Sequence, residues 1–374
     1  MSDVLFKPLQ LGRLHLPHRV VMAPLTRSRA GQPGNIPTLM NVEYYRQRAS
    51  AALIVAEATQ ISQQGQGYAW TPGIHSPGQI EGWRAVSDAV HAEAGKIYLQ
   101  LWHVGRVSHP VFQPGQRLPV APTAMEVPGQ TFIVDKEGNG LWAPIPVPRE
   151  LTTAEVTAIV KDYRGAARNA MAAGMDGVEI HAGNGYLLDQ FINSNSNRRT
   201  DAYGGSIENR TRLLLEVVDA VAEQVGAVNV GVRLTPMGRF LGMGDESPEA
   251  TFGYIARRLN DWGLAYLHLV EPAIVGTVRD EQYDPRWDGI IKQLRDTFNG
   301  VLMLAGGYTP DSARLAIESG RADLIAFGRP FIANPDLPGR LRRHLPLTEA
   351  DPSTFFGGGE KGYTDYRAFA SSTN

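Results

Sequence analysis

Eight short β-branched runs recur along the chain, each followed by a segment of helical period, and this alternation limits the fold more than any other feature. The runs fall at residues 18–23, 52–58, 96–102, 177–181, 230–234, 266–270, 301–305 and 324–327. The helical segments fall at 42–50, 79–94, 153–173, 207–225, 248–262, 288–298, 310–319 and 336–344. Strands that are apolar on both faces and joined by helices belong in a parallel sheet covered on both sides. Eight such units predict an α/β fold whose sheet closes on itself, a (β/α)8 TIM barrel. An open doubly wound sheet also alternates, but it has no reason to stop at eight. Helix starts are marked chemically: Thr152 and Glu155 form a capping-box signature. Ser247-Pro248 and Thr309-Pro310 set a hydroxyl before a proline at the first helical position.

Two regions break the rhythm. Residues 103–150 are too long for an ordinary connection and rich in Pro and Gly, which predicts an excursion over the barrel mouth that contains a hairpin. Residues 345–374 form a C-terminal tail. Within it Gly357 to Gly362 matches the Gly-x-Gly-x-x-Gly dinucleotide pattern, but no strand precedes it and no helical pattern follows, so it carries no weight. With 43% hydrophobic content the chain can bury one large core or two smaller ones; the eight-unit barrel makes the whole of 1–374 read as one domain. A formal net charge of -2 gives no basic surface for nucleic acid. No apolar run is long enough for a bilayer and the N-terminus lacks a signal-peptide pattern, so the expectation is a cytoplasmic protein without membrane contact. With 0 Cys, thiolate nucleophiles, disulfides and thiolate-bound metals are excluded.

Barrel enzymes collect their chemistry at the carboxyl ends of the strands. Here those ends carry Thr26 and Arg27, Ala58, Gln100 and Trp102, then His181, Asn184 and Tyr186, then Arg233. The last two end in Ala305-Gly306-Gly307 and Phe327-Gly328-Arg329, glycines beside a fixed positive charge, which suits a phosphate. Taken singly, each has a plainer reading. His181 could be a satisfied core histidine, Asn184 a turn residue that tolerates a left-handed backbone, and Tyr186 a packed aromatic. Arg233 could pair with Glu57 or Glu179. What favours a site is that nearly every strand ends in a group able to serve one phosphorylated, partly planar ligand.

The chain resembles the old yellow enzyme family of flavin-dependent ene-reductases, in particular its bacterial N-ethylmaleimide reductase and xenobiotic reductase branch. The matching stretches are Ala23-Pro24-Leu25-Thr26-Arg27, Gln100-Leu101-Trp102-His103, Gly177 through Phe191, Arg199 through Ser206, Gly231-Val232-Arg233-Leu234-Thr235-Pro236 and Phe327-Gly328-Arg329-Pro330-Phe331. The resemblance implies non-covalent FMN in the barrel mouth, reduced by NADPH or NADH. Pro24, Thr26, Ala58, Gln100 and Arg233 would surround the ring, and Gly306, Gly307, Phe327, Gly328 and Arg329 the phosphate end. It further implies that His181 and Asn184 donate to the carbonyl or nitro oxygen of an activated alkene and that Tyr186 supplies a proton. Tyr68, Trp102 and Phe356 would line the substrate space, with no metal site.

Some positions depart from the family pattern. Asn184 replaces the second histidine often found there, Gly183 replaces a larger residue and is expected to loosen the turn, and Phe356 replaces a pocket tyrosine. The segment around Ile274 lacks a tryptophan that some relatives place near the site. Alternatives at this stage are a flavin reductase of nitro compounds or nitrate esters, a non-flavin barrel lyase or metal-dependent isomerase, and a non-catalytic binding protein. Against the lyase and the isomerase, the strand ends offer no Schiff-base lysine and no carboxylate cluster for a metal. The expected partners are small-molecule activated alkenes, and both a monomer and a homodimer remain open.

Overall fold

The computed structural model describes residues 3–276, 278–280, 282 and 284–369. Eight strands form the barrel: β1 (Val20–Met22), β2 (Ile54–Val55), β3 (Ile97–Trp102), β4 (Gly177–Ala182), β5 (Val230–Leu234), β6 (Tyr266–Val270), β7 (Leu302–Ala305) and β8 (Leu324–Phe327). Each pairs in parallel with the next, and β8 pairs with β1, so the sheet closes as a (β/α)8 barrel. Closure removes every free edge. A short extension, Thr59–Gln60, adds to β3 at the mouth.

Helices follow the strands as the periodicity predicts, with shifts at their ends that caps explain. The first begins at Leu39, not 42, because Thr38 and Asn41 close a capping pair, with Asn41 Oδ1 accepting from Thr38 N at 2.8 Å. The second, Pro77–Ala92, starts at Ser76, whose hydroxyl accepts from Gln79 N. Thr152 caps Thr153–Ala172 as its signature implies. The last expected helix is Leu337–Arg342, and a short helix that the periodicity did not predict, Arg329–Ala333, precedes it, with Asn334 between them.

The barrel interior is layered, which follows from the two-residue period of its strands. One set of strand residues, including Val20, Ile54, Leu99, Val178 and Val232, packs with the helices in the main core. The alternate set, including Val21, Val55, Tyr98, Tyr266, Met303 and Leu324, forms a separate cluster with Leu11 and Leu16. Those two leucines belong to an N-terminal hairpin, Leu9–Leu11 with Leu14–Leu16, that plugs the lower end of the barrel. No such hairpin was evident in the strand-helix rhythm. Above the apolar plug the inward positions turn polar.

The excursion at 103–150 contains the expected hairpin, Gln130–Val134 paired with Gly140–Pro144. Its inner residues Val104, Val107, Val127 and Ile145 pack with Ala58 and Trp102 at the mouth. In the tail, residues 370–374 lie outside the described residues, and the Gly-rich string serves docking. Buried Arg27 donates to the carbonyls of Thr354, Phe355 and Gly362 at 3.1, 2.9 and 2.8 Å, and Arg29 to that of Gly359 at 3.0 Å. Tyr363 stacks on Tyr44 with ring centroids 4.0 Å apart, which fixes the tail beside β1.

Gly231 on β5 shows how tight the interior is: a Cβ there would lie 2.2 Å from Tyr266 Cζ. Gly231→Ala should therefore lose roughly 1–3 kcal/mol by overpacking, read as a lower urea midpoint; an unchanged midpoint would show that the Tyr266 ring has room to move.

Candidate active site

The polar layer spans four adjacent strands. Gln100 on β3 lies opposite Glu179 on β4, and Arg233 on β5 lies between His181 and His268 in register. Gln100 Nε2 donates to Glu179 Oε1 at 2.7 Å, and His268 Nδ1 lies 2.8 Å from Glu179 Oε2. Burial alone would raise the Glu179 carboxyl, but His268, Arg233 and Gln100 together hold it below the usual carboxylate value. Burial lowers His268 in turn, against the pull of Glu179, and the ionised carboxylate opposite requires the proton on Nδ1. Arg233 forms no ion pair with Glu57 or Glu179 among the described residues; its Nε and Nη1 are buried without a hydrogen-bond partner there. Glu57 is taken instead by the backbone N of Arg27 and by the Tyr45 hydroxyl.

One layer higher, β4 runs into the turn that carries His181, Asn184 and Tyr186. His181 is 5% exposed, and its Nδ1 is buried without a partner among the described residues. Burial, with Arg233 nearby, lowers its pKa to about 3, so it stays neutral and keeps one N–H to give. Asn184 has a left-handed backbone, φ 56, a conformation asparagine tolerates well. Its backbone N donates to Thr235 Oγ1 at 2.9 Å. Thr235 Oγ1 lies 3.3 Å from Asp189 Oδ2, which accepts from Gly185 N at 2.8 Å, while Asn193 Nδ2 donates to Asp189 Oδ1 at 2.7 Å. Burial pushes the Asp189 carboxyl up to about 7 against these donors. Gly183 does not loosen this turn: a Cβ there would lie 2.8 Å from Thr235 Cγ2 and 2.9 Å from its Oγ1. The missing side chain is what lets Thr235 come close enough to hold Asn184.

Tyr186 faces aromatic neighbours. Its ring meets Trp102 edge-on at 4.9 Å and His181 at 5.2 Å, and its hydroxyl is 3.4 Å from that of Tyr68. Tyr68 stacks parallel on Trp102 at 5.8 Å. Burial pushes the Tyr186 phenol up to about 12, so it holds its proton at neutral pH. Phe356 stands apart from this cluster. It is 44% exposed on the tail and meets Phe355 edge-on.

At the ends of β7 and β8, Gly306 and Gly307 have φ 148 and 75, which only glycine adopts without strain. Arg329 is exposed where β8 gives way to its helix. A cation that the sequence reading missed also reaches this corner: Arg279 Nη1 donates to the Gly306 carbonyl at 2.7 Å. It lies on a short strand in a connection after β6, where no motif marks it.

The mouth thus joins a ring of buried polar atoms, Arg233 Nε and Nη1, His181 Nδ1 and Asn184 Oδ1, to a glycine corner with two arginines. Those polar atoms fit a flat ring with a polar edge, and the bare glycine backbone beside fixed positive charge fits a phosphate. FMN has both parts. Among the described residues no cluster of three or more His, Asp or Glu side chains is arranged to hold a metal ion, and no helix is long and apolar enough to cross a membrane.

Fold and site therefore define an FMN-dependent oxidoreductase built on a TIM barrel. The chain belongs to the old yellow enzyme family, matching the model of the NADH:flavin oxidoreductase / NADH oxidase family over residues 4–348. It is 43% identical to 12-oxophytodienoate reductase 2 of Arabidopsis thaliana, covering 99% of this chain and 97% of that protein. The solved structure of morphinone reductase in complex with tetrahydroNAD superposes with a TM-score of 0.93 at 50% identity, covering 99% of each chain. The old yellow enzyme homologue of Zymomonas mobilis gives 0.91 at 42% identity, covering 98% of this chain and 99% of that one.

The Thr235 hydroxyl is the acceptor that fixes Asn184. Thr235→Val keeps the shape but leaves Asn184 N unpaired, which should cost about 1–3 kcal/mol in chemical denaturation, whereas Thr235→Ser should retain most of the stability. Equal stability of the valine variant and wild type would remove Thr235 from the account of the turn.

Proposed function

We propose that this protein is an NAD(P)H-dependent ene-reductase acting on activated alkenes such as enones, maleimides and nitroalkenes. The observation that carries the reading is the convergence of His181, Asn184 and Tyr186 on one braced turn, flanked by Gln100 and Arg233 on the two neighbouring strands. Pro24, Thr26, Ala58, Gln100 and Arg233 would hold the FMN ring, and Gly306, Gly307, Phe327, Gly328 and Arg329 would hold its phosphate end. When bound, FMN would supply the hydride chemistry that links NADPH or NADH to the β-carbon of the alkene.

The side chains supply the rest. As charge moves onto the carbonyl or nitro oxygen, an imidazole N–H of His181 and the side-chain amide of Asn184 donate to it. Both donors are preorganised in a buried site, where they stabilise the developing charge more than the neutral substrate. Asn184 makes this donation without a charge of its own. A half-turn of its amide exchanges the buried Oδ1 for Nδ2, so the donor can meet the oxygen without moving the backbone. Tyr186 retains its proton at neutral pH and gives it from its hydroxyl to the α-carbon. Tyr68 lies beside that hydroxyl and takes part in orienting it. The stacked Tyr68 and Trp102 rings offer a flat apolar wall to a conjugated substrate. Phe356, on the exposed rim, contacts only the outer part of a long substrate.

The test is an anaerobic titration. The purified protein is expected to be yellow, to bleach with NADPH or NADH and to recolour on adding an enone. Colourless protein that gains no flavin spectrum with added FMN would contradict the reading. In stopped flow, Tyr186→Phe should slow the alkene-driven recolouring by roughly 10²–10⁴-fold while leaving bleaching nearly unchanged. Equal slowing of both steps would remove Tyr186 as proton donor.

A further inference from the structure

The mechanism leaves unused the buried acid at the centre of the polar layer. Glu179 and His268 have no exposed surface at all. Glu179 stands two residues before His181 on β4, and so on the same inward face. Taking a carboxylate out of water costs several kcal/mol, and an apolar residue of similar size often serves stability better. A fold that carries an ionised acid there keeps it for something other than packing.

Its contacts say what for. One oxygen accepts a hydrogen from Gln100 Nε2 and the other from His268 Nδ1. An amide whose nitrogen is tied downward to a carboxylate cannot turn over, because its carbonyl would then face the same negative oxygen. Oε1 of Gln100 and its second N–H are thereby aimed away from Glu179. The polar edge of a flavin ring alternates acceptor, donor and acceptor, so only one orientation of the amide matches it. The second consequence is electrostatic. Arg233 brings a positive charge with buried N–H groups free of any partner among the described residues, and Glu179 is the negative charge close enough to act on it without an ion pair. A ring that gains negative charge on two-electron reduction responds to both: Arg233 favours reduction and Glu179 opposes it.

We propose that Glu179 is a positioning residue for the cofactor, fixing the orientation of the Gln100 amide and, through its charge, setting the reduction potential of bound FMN against Arg233. This rests on FMN lying in the barrel mouth as described under Proposed function. It adds a role for a side chain that touches neither substrate nor the reacting atoms.

The experiment compares FMN-loaded wild type with Glu179→Gln and Glu179→Asp. Two readouts are taken: anaerobic equilibration of the flavin with a reference dye, and FMN affinity by titrating the apoprotein. Glu179→Gln loses the charge and nearly keeps the shape. It should shift the equilibrium toward reduced flavin by about tenfold or more, about 30 mV for a two-electron couple. Glu179→Asp keeps the charge but draws it back from Gln100. It should leave the dye equilibrium near that of wild type while weakening FMN binding. The proposal is overturned if Glu179→Gln matches wild type in both readouts, or if Glu179→Asp moves the dye equilibrium as far as Glu179→Gln. Should Glu179→Gln fail to fold, wild-type FMN affinity in Glu179→Asp overturns it and weakened affinity supports it. Wild-type protein that binds no FMN would instead defeat the reading of the site itself, a separate outcome.

Discussion

An ionised carboxylate with no exposed surface sits at mid-height in a barrel whose lower half is apolar, and much of the upper half is arranged around it. Glu179 accepts from Gln100 and His268, while Arg233, without a hydrogen-bond partner among the described residues, stands one strand away. Such a charge is tolerable only where donors surround it. Those donors come from β3 and β6, so the belt ties three strands together across β5 at the height where the site begins. The N-terminal hairpin closes the barrel from below with Leu11 and Leu16, leaving the mouth as the opening above the belt.

Above the belt, rigidity comes from short polar links. Asp189, Thr235 and Gly183 form one device: the glycine admits the threonine, the threonine receives Asn184 N, and the acid anchors the Gly185 end. The three residues assigned to substrate are thus held by backbone as well as side chain. The excursion completes the enclosure by packing Val104, Val107 and Val127 against Trp102 and Tyr186, so the proton-bearing hydroxyl lies in a largely apolar wall. That wall also accounts for the phenol's reluctance to ionise.

Much of this was legible in the sequence because it is periodic. Alternating strands and helices fixed the barrel, and the strand-end rule located His181, Arg233 and the glycines of β7 and β8. What was not legible depends on distance across the barrel. The Glu179–His268 pair joins residues 89 positions apart, and in the sequence both are polar letters inside apolar strands. That interruption is itself a signal, since a charge within a both-faces-buried strand needs a partner. The bracing role of Gly183 could not be read without knowing that Thr235 crosses it. The docking role of the tail was hidden for a similar reason: the Gly357–Gly362 string answers to Arg27 and Arg29, more than 300 residues away.

The central claim is that the His181 and Asn184 side chains meet the oxygen of a bound substrate above a flavin ring held by Gln100 and Arg233. A crystal structure of the FMN-loaded protein with a phenolic ligand tests this most directly. The account predicts the flavin edge on Gln100 and Arg233 and the phenolic oxygen within hydrogen-bond distance of both His181 and Asn184. A ligand oxygen directed instead toward Phe356 or the Tyr68 hydroxyl, with His181 and Asn184 left unpaired, would contradict it.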